Sequence, residues 1–208
     1  FTYVNIVPRN LYHADRKNSS SDTIIDFHLH DIEDATWEFD QIEPTVNHSF
    51  RFPHEALGGL DYGSRFCAST LRPEVVPLLD HVSRLEVLEV GGGTGSFASS
   101  FIKQASSVID VDYHILDLSP ALMANQRKVL ADLLPESKHF QQDATEFELP
   151  GRTFDLIVSN EVIADFPVAP VQRNASGGWQ GEGARWVEKY DLDTHDAPDS
   201  FVVNAGVF

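Results

Sequence analysis

At 208 residues the chain is long enough for one full domain, and 42% hydrophobic with 23% charged residues excludes a disordered polymer. No apolar run approaches the ~20 residues of a membrane-spanning helix. Thirty-two acidic against 15 basic residues give a formal charge of −17 without a Lys/Arg cluster, which argues against nucleic acid as a partner and favours cationic or neutral ones.

Residues 1–55 read as a small β-rich segment. Ile25, Phe27 and Leu29 alternate with Asp26, His28 and His30, the period of a half-buried strand. Trp37 and Phe39 continue the pattern after Glu33-Asp34, which predicts a hairpin packed beside or over the ligand-binding mouth. Asn18 to Asp22 is a polar loop. His28 and His30 share a face with Asp26 and Asp31 nearby, but ordinary polar strand faces look the same, and no metal is assigned. The single cysteine, Cys67, excludes an internal disulfide, fits a reducing compartment and belongs to no metal-ligand spacing.

From about residue 70 helices and strands alternate. Thr70 caps a helix opened by Pro73, with Val75, Val76, Leu78, Leu79 and Val82 on its apolar face. A strand over Leu85–Val90 ends at Gly91, and a helix comes next over Ser96–Ala105. Tyr113–Leu116 is a second strand. Ser119-Pro120 then caps a helix with Leu122, Met123, Val129, Leu130, Leu133 and Leu134 largely on one face. His139–Gln142 and Phe154–Ser159 are the third and fourth strands. This alternation predicts an α/β fold with a parallel sheet, the Leu85 strand central and the Tyr113 and Phe154 strands on either side. After Pro167 the pattern fades into the glycine-rich loop Ser176–Gly183, with weaker strands at Trp186–Tyr190 and Phe201–Phe208. The chain opens on Phe1, with no signal peptide, and stops within an apolar run, so we expect a fragment whose sheet is incomplete at the C-terminus.

The strongest motif is Glu89-Val90-Gly91-Gly92-Gly93-Thr94-Gly95, between the first strand and a helix. Glycine here removes Cβ atoms and lets a ligand lie against the backbone, and the helix start offers free N–H groups. The spacing is E-x-G-x-G-x-G rather than the G-x-G-x-x-G of a dinucleotide site. An acid two residues before the first glycine repels a pyrophosphate and attracts a cationic amino-acid group.

This segment resembles motif I of the class I S-adenosylmethionine-dependent methyltransferases. The resemblance spans about residues 62–167 and implies a Rossmann-like sheet with S-adenosyl-L-methionine as cofactor. It implies cofactor contacts at Glu89, Gly91, Gly93 and Gly95. It places Asp117 on the ribose hydroxyls, Asp143 near the adenine amine, and Asn160 and Glu161 at the cofactor and substrate mouth. All end strands at the edge where open α/β sheets bind ligands. Tyr62 and Arg65 precede the first helix, where the superfamily packs over the cofactor.

Two stretches, Val111–Arg127 and Ser159–Val168, further resemble the MidA-like family, which includes a mitochondrial complex I assembly methyltransferase. Asn160, Glu161 and Pro167 match its Asn-Glu-x-x-Asp-Ala-Leu-Pro signature, whereas Asp165 falls one place late and Phe166 replaces the Leu. The resemblance implies a mitochondrial or cytoplasmic enzyme that methylates a protein side chain or a small molecule. Glu161 and Asp165 are the candidate catalytic carboxylates, able to orient a guanidinium or take its proton. Two other readings stay open: a cofactor-binding assembly module without turnover, and a nicotinamide oxidoreductase. The two domains expected are 1–55 and a cofactor-binding domain over 56–208; oligomeric state is not legible.

Overall fold

The computed structural model describes residues 24–42, 45–72, 82–166, 171–173 and 179–181. The expected helix after Thr70 and the late strands at 186–190 and 201–208 lie outside these residues. The chain divides into one compact unit over His28–Ala164 and a second comprising Phe1–Phe27 with Asp165–Phe208.

The first unit is built on a four-stranded sheet: β1 (Arg84–Val90), β2 (Asp110–Asp117), β3 (His139–Gln141) and β4 (Leu156–Ser159), in the order β3-β2-β1-β4. All neighbours are parallel, and Val87 of β1 pairs with Tyr113 on one side and Leu156 on the other. The central place of β1 agrees with the sequence pattern. β1 and β2 are buried along nearly their whole length, as strands covered on both faces are, although Glu89, Asp112, His114 and Asp117 stand among their buried residues.

Three helices connect and cover these strands: α1 (Tyr62–Thr70), α2 (Ser96–Ala105) and α3 (Pro120–Val129). α1 starts where the Asp61 side chain accepts the Ser64 N–H at 2.8 Å. α3 starts where Ser119 accepts the Leu122 N–H, with Pro120 in the first turn. Leu85, Val87, Tyr113 and Ile115 meet Phe97, Phe101 and Ala105 of α2 in the core. Cys67 lies in the same core, and burial pushes its thiol up to about 12, so it is an inert packing group. No described helix is long and apolar enough to cross a membrane.

The β-rich reading of the N-terminal segment is corrected. The described residues from Ile24 to Ile42 form a chain of helical turns, and a further turn spans Val46–Ser49. The Ile25/Phe27/Leu29 alternation is only five residues long, too short to outweigh the helical spacing of the next residues. The buried positions Ile32, Ala35 and Glu38 advance by threes, a helical step, and Asp34 caps the turn at Ala35 by accepting the Trp37 N–H at 2.8 Å. Within the glycine-rich loop expected after residue 176, Trp179–Gly181 (β6) pairs antiparallel with Val171–Arg173 (β5) in the second unit.

The amino ends of β1 and β2 carry a compensated charge network. Glu86 stands opposite Asp112, and Asp112 is paired with both Arg84 and Lys138. Burial pushes the Asp112 carboxyl up, but Lys138, His114 and Arg84 together hold it below its ordinary value. His114 is fully buried, and its Nε2 accepts from Lys138 at 3.1 Å and Arg152 at 2.9 Å, because both partners have only donors. Burial and these cations keep the imidazole neutral. Glu86, Asp112 and His114 offer ligand-type atoms within 4.8 Å of one another, but the cations already fill the space between them.

Phe101 is fully buried and touches Phe97, Phe66 and Tyr113 at ring-centroid distances of 6.0, 6.5 and 5.6 Å. Phe101→Ala should cost about 3–5 kcal/mol of stability, read as a lowered urea midpoint; a loss under about 1 kcal/mol would mean the core lies elsewhere.

Candidate functional site

The glycine loop leaves β1 at its carboxyl end and turns directly into α2. Gly91 has φ +75°, and a Cβ there would overlap Val162. Gly95 has φ +80°, and a Cβ there would meet the Gln126 Cα at 3.2 Å. Both positions therefore need glycine, one to pass the β4 loop and one to let α3 approach the backbone. The Gly91 N–H donates to the Leu116 carbonyl at 2.8 Å, which ties the loop to β2.

Two acids close the strand ends beneath this loop. Glu89 is 3% exposed, and its Oε2 accepts the Tyr113 hydroxyl at 3.1 Å. Burial pushes its carboxyl up to about 8; Tyr113 opposes the shift and the Asp117 charge adds to it. At neutral pH, with no cation among the groups acting on it, Glu89 holds its proton. The motif alone implies an ionised acid, and burial is the reason for the difference. Tyr113 is driven well above its ordinary range by burial and by Glu89.

Asp117 ends β2 and is 6% exposed. Its Oδ1 accepts the Ser119 N–H at 3.0 Å, and its Oδ2 accepts the Gln126 amide at 2.6 Å. Burial raises its carboxyl, while Ser119, Gln126, Gly93 and Gly92 act against the rise. Beyond these two bonds, the backbone of Gly92 and Gly93 also faces the carboxylate, so the glycine turn and α3 converge on it.

The other expected residues take different positions. Gly93 faces the Phe39 ring, which lies 3.3 Å from where its Cβ would be. Asp143 stands two residues beyond β3, and its Oδ1 accepts both the backbone N–H and the hydroxyl of Thr145, at 2.8 and 2.7 Å. It caps a turn. Asn160 comes directly after β4 and accepts the Tyr62 hydroxyl at 2.8 Å, so Tyr62 of α1 does reach the strand ends. Glu161 has φ +58°, strained for a side chain of its size, and its Oε2 accepts the Val46 N–H at 2.8 Å. The second expected carboxylate, Asp165, ends the turn Ile163–Asp165 and belongs to the second unit.

Three features are not legible in the sequence pattern. Phe39, Val46 and Asn47 lie over the loop: Phe39 at Gly93, Val46 at Glu161, and the Asn47 amide 3.2 Å from the Ser96 hydroxyl. Gln126 links Asp117 to the Gly93 carbonyl, the latter at 3.1 Å. Asn125 donates to the Thr94 carbonyl at 2.8 Å. The one available signal for Gln126 is its spacing, since Leu122, Met123, Gln126 and Leu130 are all buried, and a polar residue stands where that stripe calls for an apolar one.

A parallel sheet with a glycine turn and acids at its strand ends defines a nucleotide-type α/β ligand site. Residues 72–204 match the family described as "Putative S-adenosyl-L-methionine-dependent methyltransferase", and the chain belongs to this family. It is similar to a native crystal structure of a Burkholderia thailandensis protein at 24% identity and TM-score 0.42, covering 84% of this chain and 46% of that one. It is also similar to a Burkholderia thailandensis protein bound to S-adenosyl-homocysteine, at 28% identity and TM-score 0.42, covering 72% of this chain and 38% of that one. The chain thus spans less than half the length of either. No curated protein matches it.

Glu89 generates a pH prediction. Its folded value of about 8 lies above the ordinary 4.5, so the native state holds a proton that the unfolded chain has lost. The contribution is fully present below about 4.5 and is lost as pH rises toward about 8. The unfolding free energy of the wild type minus that of Glu89→Gln, from urea melts, should therefore fall across this window, with a slope of at most about 1.4 kcal/mol per pH unit. A difference independent of pH would mean that Glu89 is ionised throughout.

Proposed function

We propose that this chain binds S-adenosyl-L-methionine at the carboxyl ends of β1, β2 and β4 and takes part in methyl transfer to a protein side chain or a small molecule. The observation that carries the reading is the pairing of the glycine turn at Gly91–Gly95 with the buried Asp117 carboxyl, within a chain of this family. The residues present fit the cofactor's chemistry. Asp117 is a carboxyl at a strand end, a group that as a carboxylate only accepts and so suits hydroxyl donors, and Glu89 is a buried acid that a nearby cation would ionise. When bound, the cofactor supplies an activated methyl group on a sulfonium.

The chain's own task is then to bind, orient and exclude water. Gly91, Gly93 and Gly95 would carry the cofactor along the backbone, with Asn160 at the mouth. Asp143 would serve the adenine end, although its Oδ1 also holds the Thr145 turn. Glu161, exposed and anchored through one oxygen, and Asp165 are the carboxylates we assign to orienting the acceptor or taking its proton. A mitochondrial or cytoplasmic address and an arginine acceptor are carried by the MidA-like resemblance alone. The nicotinamide reading gains nothing from the family match.

Titration calorimetry with S-adenosyl-L-methionine and S-adenosyl-homocysteine tests the reading directly. Asp117→Asn keeps a donor-acceptor side chain but loses the charge, and should weaken binding about ten- to a hundredfold, since about 1.4 kcal/mol is a factor of ten. The burial of Asp117 means that this variant also melts lower, which differs from the small stability change expected of an exposed strand-end acid. Binding is therefore measured well below the variant's melting temperature. Unchanged affinity there would reduce Asp117 to a cap of α3.

A further inference from the structure

Gln126 is fully buried in the middle of α3, on the stripe formed by Leu122, Met123 and Leu130. Its Nε2 donates to two acceptors, Asp117 Oδ2 at 2.6 Å and the Gly93 carbonyl at 3.1 Å. Both neighbours are acceptors, so the amide has one tolerable orientation: a flip would set Oε1 against a carboxylate and a carbonyl. In that orientation Oε1 is buried without a hydrogen-bond partner. Leucine would fill the stripe without burying an unpartnered Oε1, but it would take the donor away from Asp117 Oδ2 and the Gly93 carbonyl. What the glutamine does, and leucine cannot, is join the end of β2 to the glycine loop through one amide.

We propose that Gln126 is the positioning residue for the cofactor ribose: it fixes the Asp117 carboxylate relative to Gly93, so that the carboxylate is held in one orientation for a vicinal diol. The inference rests on the reading of Asp117 given under the proposed function. The surroundings favour such a role. The Gln126 backbone packs against Gly95, its amide lies against Gly92, and the neighbouring Asn125 holds the Thr94 carbonyl. α3 thus carries a two-amide clamp along the loop, with the Gln126 arm alone reaching the acid. A free Asp117 side chain has two torsions, and a 2.6 Å bond to a buried amide removes that freedom before the ligand arrives.

The test uses the full chain and two probes, S-adenosyl-homocysteine and its 2′,3′-dideoxy analogue, titrated into wild type, Gln126→Leu and Gln126→Glu. Wild type should prefer the diol by about tenfold or more, as expected of two hydroxyls on a carboxylate. Gln126→Leu should bind both probes with affinities within about twofold of each other, whatever happens to its melting temperature. Gln126→Glu is nearly isosteric and guards against misfolding of the leucine variant. Protonated, it has one O–H to give to Asp117 and none left for the Gly93 carbonyl. Ionised, it repels Asp117. Its diol preference should be near that of wild type at about pH 5 and fall as pH rises toward 8, while the wild-type preference stays flatter. A diol preference in Gln126→Leu equal to wild type overturns the proposal and leaves Gln126 a packing residue. So does a pH-independent preference in Gln126→Glu. Wild type that binds S-adenosyl-homocysteine without preferring the diol sinks the ribose reading of Asp117 and this inference with it. Wild type that binds neither probe sinks the cofactor reading itself.

Discussion

Two carboxyl groups buried next to each other at the carboxyl ends of adjacent parallel strands set the terms for the rest of this structure. Glu89 and Asp117 are 3% and 6% exposed, and the Asp117 charge adds to the cost of ionising Glu89. Burying an acid demands either protonation or a full set of donors. The chain uses both answers. Glu89 keeps its proton and leans on the Tyr113 hydroxyl. Asp117 collects a backbone N–H from Ser119 and the amide of Gln126. The second answer dictates where α3 sits, because Gln126 must come close, and that closeness in turn requires glycine at position 95.

The same constraint explains the cover formed by the residues before α1. The strand ends need a roof, and the roof is fastened through polar contacts: Val46 to Glu161 and Asn47 to Ser96, while the Thr45 hydroxyl caps the turn that carries them. Phe39 supplies the apolar part of the cover, over Gly93 and stacked on His48 at 5.7 Å. His48 is fixed from its other side by Asp40, at 2.5 Å. Glu161 sits at the join in a strained backbone conformation. Strain held by a tie of this kind connects the cover to the loop after β4, so the two cannot rearrange independently.

Much of this is legible in the sequence. The strands β1 and β2, the glycine turn and the Ser119-Pro120 start of α3 each have a local cause, and local causes read well. Asp117 stands out because it ends a strand. What the pattern does not show has several causes. Ile25, Phe27 and Leu29 alternate like a strand, but the helical step through Ile32, Ala35 and Glu38 governs the described structure. Gln126 lies in an apolar stripe and looks like a polar interruption until Asp117 is placed beside it. Glu161 is conspicuous for its acidity, yet its hydrogen bond to Val46 crosses 115 positions of chain. Asp143 is conspicuous for its place after a strand, while its contacts with Thr145 are a turn cap that many loop aspartates would make.

The two ends of the sheet handle charge in opposite ways, and the contrast bears on the ligand. At the amino ends, Asp112 is met by Arg84 and Lys138, and His114 stays neutral between Lys138 and Arg152. Acid and base are balanced there by the chain itself, and an added ion would have to break existing pairs. At the carboxyl ends the groups acting on Glu89 are a phenol and another acid, and those acting on Asp117 are neutral amides. No cation of the described residues is among them. A positively charged ligand seated against the glycine turn would therefore ionise Glu89 and gain an attraction that water does not screen well, whereas a pyrophosphate would meet two acids.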